Sequence, residues 1–294
     1  MNGADARERL DRLTQINRDD LMKSFKLNRV PLLSPLLKPA LWASARQFSR
    51  IILEYDQTVR ERGFQAAAQF ILDWATSSVT VHGADHIPSS GPALIVSNHP
   101  GLSDTVALFA QIERTDLRTI AAKRPFLDAL AHVHPYLIVL DEDDERSGVT
   151  VLKQATAYLR SGGLVVTFPN GRIEPDPLTM SGAIEALSGW SESLALFVRR
   201  VPDLLVVPAM VGGVISARAL QHPVTWLYRD PKQRDWAAAT IQFSSERLRR
   251  VPVVVAFSQA LPASQLASLS REELIATITG QVAGLMRQYA QARP

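Results

Sequence analysis

The feature that most constrains the fold is an alternation of short apolar runs with helical segments between residues 79 and 257. Several runs are apolar on both faces, as expected of strands covered by helices on both sides. This alternation predicts an α/β fold with a mixed, largely parallel sheet flanked by helices. The predicted strands are Val79–Val81, Ala93–Val96, Arg118–Ala121, Tyr136–Leu140, Leu164–Phe168, Leu205–Met210 and Val253–Phe257.

Apolar residues at helical spacing predict the other elements. Residues 1–75 have this spacing and differ in composition from the rest of the chain, so we expect an N-terminal helical segment, for packing or membrane docking, before an α/β domain over residues 76–294. The helices predicted within that domain are Thr105–Ile112, Val149–Leu159, Ser191–Val198, Trp236–Leu248 and Glu272–Tyr289.

The apolar stretch Val30–Pro39 contains three prolines, which we expect to keep it from forming one regular helix. It is either a crossing segment packed on the main domain or a surface that enters the lipid interface. In the second case the lipid-facing residues are Leu32, Leu33, Leu36, Leu37 and Trp42, with Lys38 and Arg46 facing the headgroups.

Composition excludes several classes of protein. The chain has no cysteine, which rules out disulfides, thiolate zinc sites and a cysteine nucleophile. No run approaches the roughly 20 apolar residues of a membrane-spanning helix, and the charged N-terminus lacks the apolar core of a secretory signal. The net charge of +3 is modest and its basic clusters are short, so nucleic acid is not an expected partner. We expect a cytoplasmic protein, or one bound peripherally to the cytoplasmic face of the membrane.

A histidine and an aspartate stand five positions apart just after the second predicted strand, in the sequence Asn-His-Pro-Gly-Leu-Ser-Asp over residues 98–104. Pro100 disfavours helical backbone at His99, so the imidazole is carried off the strand end. A carboxylate on one imidazole nitrogen fixes the tautomer and leaves the other nitrogen free to accept a proton. The spacing predicts His99 as a base oriented by Asp104. The alternative is a helix-capping aspartate beside an ordinary loop histidine.

This string of strand, Asn-His, four residues, Asp and helix resembles the first motif of the glycerolipid acyltransferases, which include lysophosphatidic acid and glycerol-3-phosphate acyltransferases. The resemblance extends over roughly residues 79–260. It implies that His99 deprotonates an acceptor hydroxyl and that Asp104 holds the imidazolium that forms. We expect backbone N–H groups of the Gly101 turn, or of the helix that opens at Ser103, to stabilise the oxyanion.

A second polar loop follows the strand 164–168 and resembles the family motif Phe-Pro-Glu-Gly-Thr-Arg. Phe, Pro and Gly match in register, Asn170 replaces the glutamate, and Arg172 comes one position earlier than the family arginine. The motif implies binding of an acceptor phosphate, to which arginine is well suited. The alternative is a surface ion pair of Arg172 with Glu174 or Asp176. The predicted substrate-binding residues of this loop are Pro169, Asn170, Gly171 and Arg172.

Two weaker matches complete the resemblance. Lys123 follows the third strand, where the family often has a basic residue, and Arg146 follows an acidic run over residues 141–145. We include both as substrate-binding residues, although the acidic run would repel a phosphate unless it points away. The strand Val207–Met210 resembles a family motif that lines the acyl site, with plain core packing as the alternative. The predicted acyl-site residues are Val207, Pro208 and Met210.

The sequence therefore predicts an acyltransferase that moves a fatty acyl group from acyl-CoA or acyl carrier protein to a hydroxyl of a lysophospholipid, glycerol phosphate or related lipid. The thioester is a co-substrate, and no metal or cofactor is expected. Two alternatives stay open. One is an acyltransferase for a non-phosphate acceptor, and the other is a non-catalytic acyl- or lipid-binding module on the same scaffold.

Overall fold

An eight-stranded sheet forms the centre of the protein. Its computed structural model describes residues 3–24, 34–101 and 103–290. All seven predicted strands are present within a few residues of their predicted ends, and a two-residue eighth strand is added. The strands are β1 (Thr76–His82), β2 (Ala93–Ser97), β3 (Leu117–Ala122), β4 (Leu137–Leu140), β5 (Leu164–Thr167), β6 (Leu205–Gly212), β7 (Val251–Phe257) and β8 (Leu261–Pro262).

Helices precede the sheet and cover both of its faces, so the predicted α/β fold with an N-terminal helical segment is confirmed. The N-terminal helices are α1 (Gly3–Ser24), α2 (Ser34–Arg62) and α3 (Phe64–Ala75). The others are α4 (Asp104–Phe109), α5 (Pro125–Asp128), α6 (Ser147–Arg160), α7 (Ala183–Ala186), α8 (Ser193–Arg200), α9 (Ala217–Leu220), α10 (Pro231–Ser244), α11 (Glu246–Arg249), α12 (Ala263–Leu266) and α13 (Arg271–Ala290).

The strand order places five strand ends along one edge of the sheet. The order is β1-β7-β6-β2-β5-β3-β4, with β8 beside the start of β6. Strands β6, β2, β5, β3 and β4 are mutually parallel, whereas β7 runs antiparallel to β6 and β1 runs parallel to β7. The carboxyl ends of the five parallel strands therefore share an edge, which is where ligands bind in open α/β sheets.

The two faces of the sheet bury separate apolar clusters. Residues of α3 and α4 pack with one face, and residues of α6, α8 and α13 pack with the other. Because side chains alternate along a strand, β6 contributes to both clusters. Val207 and Val211 belong to the cluster with α3, and Val206 and Met210 belong to the opposite cluster.

Pro208 lies in the middle of β6, a position where a strand usually needs its N–H. It pairs with Val96 of β2 on one side. On the other side β6 changes partners here, from β8 at residues 205–206 to β7 at residues 209–212. The proline carbonyl accepts a hydrogen bond from the Ser258 N–H at 2.8 Å. The N–H group that Pro208 lacks therefore falls where β6 passes from pairing with β8 to pairing with β7.

The region around Val30–Pro39 differs from expectation. Helix α2 begins at Ser34 and includes Pro35 and Pro39, whereas residues 25–33 lie outside the described part of the chain. A proline in the first turn of a helix is tolerated because the N–H it lacks has no intrahelical partner. Pro39 removes one hydrogen bond without ending the helix. The expectation that the prolines prevent a regular helix was wrong from Ser34 onward.

Two of the residues expected at the lipid interface contact α1 instead. The Arg18 guanidinium lies over the Trp42 ring, 5.6 Å from its centroid. Arg46 forms an ion pair with Asp11. Leu32 and Leu33 lie outside the described residues, and Leu36, Leu37 and Lys38 lie on the first turns of α2. No helix in the described ranges has an apolar stretch long enough to cross a membrane.

Candidate active site

His99 and Asp104 meet at the carboxyl end of β2. The His99 Nδ1 atom lies 2.7 Å from Asp104 Oδ2. The Asp104 side chain is fully buried, whereas 27% of the His99 side chain is exposed. The imidazole also packs on the Phe168 ring, with centroids 4.7 Å apart. Nε2 makes no hydrogen bond to the described residues, so this nitrogen can take a proton from a bound molecule.

Backbone N–H groups fix both carboxylate oxygens of Asp104. The Gly101 N–H donates to Oδ2 at 3.0 Å. The Thr105 N–H and hydroxyl both donate to Oδ1. A carboxylate held this way cannot rotate away from the imidazole. The Gly101 N–H itself is therefore occupied by Asp104, and oxyanion donors from the rest of the turn or from the helix opening at Ser103 stay a prediction.

The surroundings of His99 favour its protonated form. Burial by itself lowers the pKa of the imidazole, because a charge is disfavoured away from water. The charge and hydrogen bond of Asp104, together with the charge of Glu174, outweigh burial and raise the pKa of His99 above its usual 6.5. A base with a raised pKa is a stronger proton acceptor, provided that the pH keeps it neutral.

Glu174 joins the loop after β5 to the loop after β2. Its Oε2 accepts a hydrogen bond from the His99 N–H at 2.9 Å. Its own N–H donates to the His99 carbonyl, also at 2.9 Å. This reciprocal pair closes a ring between two segments 75 residues apart. The backbone position of His99 therefore depends directly on the second loop.

Asn170 and Trp190 hold the Glu174 side chain in place. Each donates a hydrogen bond to Glu174 Oε1 at 3.0 Å, Asn170 through its amide and Trp190 through its indole. The Asn170 amide also donates to the Ala186 carbonyl at 3.1 Å. Burial raises the pKa of Glu174, and these hydrogen bonds oppose the rise. Asn170, predicted to bind substrate, is used here to brace the loop.

A buried carboxylate secures the segment that follows β6. Asp176 is fully buried. Its Oδ1 accepts from the N–H groups of Gly213 at 2.8 Å and Leu178 at 2.9 Å, and its Oδ2 accepts from Ile215 at 3.0 Å. Burial raises the pKa of Asp176, and the backbone donors oppose that rise. Ile215 in turn packs beside the loop that carries His99, since a methyl group added at Gly101 would lie 3.1 Å from its Cδ1.

Asn98 connects the loop that carries His99 to β6 at the same edge of the sheet. Its amide donates to the Val211 carbonyl at 2.8 Å, and its oxygen accepts from the Val211 N–H at 2.9 Å. The side chain thus mimics a further residue of a β-ladder. Together with Glu174, it fixes the backbone immediately before and at His99.

The three cationic residues predicted to bind substrate are Lys123, Arg146 and Arg172. They follow the neighbouring strands β3, β4 and β5 and differ in whether they form an ion pair. Lys123 is half-exposed and pairs with Asp141 at 2.7 Å, across the ends of β3 and β4. The Asp141 contact raises the pKa of Lys123. Arg146 is exposed and precedes α6. Arg172 is exposed and forms no ion pair with the described residues. The alternative prediction was a surface ion pair of Arg172 with Glu174 or Asp176. Both carboxylates are buried and accept hydrogen bonds from other residues.

The predicted acyl-site residues are buried within the sheet. Val207 and Met210 are both fully buried and lie on opposite faces. A single channel can therefore contact only one of them, and Pro208 sits between β2 and the junction of β7 with β8. Core packing accounts for all the contacts that the structure shows here. Their role in lining an acyl site stays a prediction.

Sequence reasoning missed Trp190 and the roles of Glu174 and Asp176. The two carboxylates follow Arg172 within four residues, which suggests local surface pairing. Pro175 and Pro177 alternate with these carboxylates and indicate a turn or loop, but they do not indicate that the carboxylates are buried.

Comparison with protein families agrees with the placement of these loops. Residues 78–212 match the protein-family model described as Acyltransferase, and this segment contains both loops of the candidate site. No curated protein matches the chain. Among solved structures, the chain is similar to the 1-acyl-sn-glycerophosphate (LPA) acyltransferase PlsC from Thermotoga maritima, at 17% sequence identity over 96% of this chain and 99% of that chain, with a TM-score of 0.49.

Proposed function

We propose that this chain, whose residues 78–212 belong to the Acyltransferase family, moves a fatty acyl group from acyl-CoA or acyl carrier protein to a hydroxyl of a lysophospholipid, glycerol phosphate or related lipid. The observation that carries this proposal is the contact of His99 Nδ1 with buried Asp104 at 2.7 Å, which leaves Nε2 without a partner among the described residues. A lipid acceptor resides in a bilayer, so the enzyme would work peripherally, at the cytoplasmic face of a membrane.

In the proposed reaction, His99 Nε2 removes the proton of the acceptor hydroxyl as its oxygen attacks the thioester carbonyl carbon. Asp104 stabilises the imidazolium that forms. The tetrahedral intermediate then collapses, the carbon–sulfur bond breaks, and the leaving thiolate takes the proton from Nε2. The products are an ester and a free thiol, and His99 returns to its neutral form. No acyl-enzyme is required.

Thiol release in the presence of an acyl donor and defined acceptors tests the function. Long-chain acyl-CoA and acyl carrier protein would each be offered with glycerol 3-phosphate, lysophosphatidic acid or monoacylglycerol, and the ester would be identified by mass spectrometry. Release that depends on an acceptor supports the proposal, and reactions without acceptor measure thioester hydrolysis. If no acceptor yields ester while acyl chains co-purify with the protein, the chain is a binding module.

The ion pair of Lys123 with Asp141 favours a second candidate, an acyltransferase for an acceptor without phosphate. At 2.7 Å, Asp141 already neutralises one of the cations that a phosphate would need. Asn170 is likewise bonded within the protein. In the same acceptor series, faster esterification of monoacylglycerol than of lysophosphatidic acid would support this candidate.

We expect the pH profile of kcat/KM to report the environment of His99. The base must be neutral, so kcat/KM falls as the pH drops through its pKa, which lies above 6.5 because of Asp104 and Glu174. Glu174→Gln removes one negative charge, so the acidic limb should move to lower pH. Glu185→Gln, at an exposed position, serves as the matched control. A limb that stays in place in the Glu174 variant contradicts the electrostatic role of that carboxylate.

We expect Arg172→Gln to raise the KM for a phosphate-bearing acceptor about tenfold, with little change in kcat, because a charged hydrogen bond to the substrate is lost. Lys123→Gln is the control. Its ammonium is already paired with Asp141, so a smaller effect is expected. Initial rates over a range of acceptor concentrations separate the two constants. Equal KM values for the Arg172 variant and the wild type would remove Arg172 from the acceptor site.

A further inference from the structure

A 3₁₀ turn over Pro223–Leu227 presents large apolar side chains to solvent. Trp226 is 67% exposed and Leu227 is 79% exposed, and Val224 beside them is also exposed. The turn itself is well held, because the buried Thr225 hydroxyl donates to the carbonyls of Leu220 and His222. An ordered turn that keeps a tryptophan and a leucine exposed to solvent is typical of a surface that binds a partner or a membrane.

This turn is mounted on the segment that supports the catalytic loop. It connects α9 to α10, and Gln242 of α10 bonds the Val214 carbonyl at 2.7 Å and the Ser216 N–H at 2.8 Å. Val214 and the adjacent Ile215 are the nearest neighbours of any methyl group added at Gly101. The exposed turn is therefore connected through one helix to the loop that carries His99.

The same segment packs against the N-terminal helices. The Phe243 ring of α10 contacts Phe48 of α2, with centroids 6.2 Å apart, and Trp74 of α3, with centroids 5.8 Å apart. Arg249 lies over the Trp74 ring and donates to the Trp74 carbonyl. The end of helix α10, which follows the turn, therefore packs in the layer formed by α2 and α3, on one face of the sheet.

Cationic residues flank the turn in the sequence. Arg218, Arg229 and Arg234 are exposed on α9, after the turn and on α10. The carboxylates of the same stretch are Asp230, which is exposed, and Asp235, which is half-buried. Exposed tryptophan and leucine with flanking arginines is the composition of surfaces that lie in the headgroup region of an anionic bilayer.

We propose that the Trp226–Leu227 turn inserts into the interface of an anionic lipid bilayer and so brings the catalytic edge of the sheet to the membrane. The size of the surface favours lipid over a protein partner. A tryptophan buries about 200 Å², and the turn offers two more, smaller side chains, whereas a stable protein interface covers about 800 Å² on each partner. Insertion into a bilayer needs no such area.

Vesicle binding tests the proposal with the intact protein. Wild type and the double variant Trp226→Ser/Leu227→Ser would be sedimented with vesicles of phosphatidylcholine and phosphatidylglycerol at a 3:1 ratio. We expect the partition coefficient of the double variant to be at least about tenfold lower than that of the wild type. The reason is that two large apolar side chains are no longer transferred from water into the bilayer. Brominated lipid in the same vesicles should quench Trp226, so quenching should be weaker in Trp226→Ser than in the wild type.

The control is Val149→Ser, which removes another exposed apolar side chain (56% exposed) from α6, on the opposite face of the sheet. This variant should partition like the wild type. Circular dichroism would establish that each variant is folded, which the exposure of the replaced side chains favours. Unchanged partition of the double variant, or equal quenching with and without Trp226, overturns the proposal. So does a concentration-dependent dimer in ultracentrifugation that the double variant loses while vesicle binding is unaffected.

The consequence for catalysis rests on the proposed function and is measured separately. Esterification of an acceptor embedded in vesicles should fall with the loss of binding in the double variant. Esterification of a water-soluble, short-chain acceptor should not change. Loss of both activities would mean that the turn serves the fold of the site, which contradicts a membrane role. Absence of any esterification by the wild type would refute the proposed function and leave the binding result standing.

Discussion

Replacing His99 by alanine is expected to lower kcat/KM for acyl transfer by about 10³-fold, within the range of 10² to 10⁴ for a positioned base. In the proposed reaction the acceptor loses its proton to the imidazole, and a water molecule in its place would be a far weaker base. Asp104→Asn should produce a loss of similar kind, because the amide cannot stabilise the imidazolium or fix its tautomer. Thiol release under single-turnover conditions measures the chemical step directly.

The chain offers a matched control in its second histidine–aspartate pair. His132 Nδ1 lies 2.9 Å from Asp56 Oδ2, and Asp56 is buried like Asp104. This pair joins α2 to the segment after α5, away from the loops that follow β2 and β5. His132→Ala should therefore keep most of the wild-type turnover even if it loses stability. Equal activity losses for the His99 and His132 variants would contradict the proposed role of His99.

Asp176→Ala is expected to destabilise the folded protein by about 3 to 4 kcal/mol. The substitution leaves buried backbone donors without an acceptor, at about 1 to 3 kcal/mol each. It also removes the cost of burying the carboxylate, so the net loss is smaller than the sum over the donors. Three of those donors are the N–H groups of Leu178, Gly213 and Ile215. Urea denaturation followed by circular dichroism measures the change in the free energy of unfolding.

Two comparisons complete that experiment. Asp203→Ala, at an exposed position, should change stability by less than about 0.5 kcal/mol. Asp176→Asn keeps the shape of the side chain but points an amide N–H₂ group at backbone donors. Its loss of stability should therefore fall between those of Asp203→Ala and Asp176→Ala. A stability change for Asp176→Ala as small as that of Asp203→Ala would show that water replaces the carboxylate at no cost.

The sequence was sufficient where the determining contacts are local. Apolar runs separated by helical periodicity located seven strands, because several of these runs are buried on both faces and stand out as continuous apolar stretches. His99 and Asp104 could be paired because only five positions separate them, and Pro100 restricts the backbone between. Strand β8 was missed because two residues carry no periodicity.

The rest of the site depends on contacts between distant segments. Glu174 is 75 positions from the His99 N–H that it accepts from, and 16 positions from Trp190. Nothing in the local sequence distinguishes such a carboxylate from a surface acid. The state of Lys123 likewise depends on Asp141, 18 positions away, which β3 and β4 bring together as parallel neighbours. Such pairings follow from strand order, which the sequence pattern left open.

The place of β1 in the sheet has a consequence for synthesis of the chain. Residues 76–82 pair with residues 251–257, so at typical rates of translation the first strand waits on the order of ten seconds or more for its partner. Meanwhile β2, β5 and β6 can assemble, which completes the histidine loop and its brace before the sheet gains its outer strands. Until β7 has been made, β1 is therefore an unpaired, serine- and threonine-rich strand whose backbone N–H and C=O groups can pair with another chain.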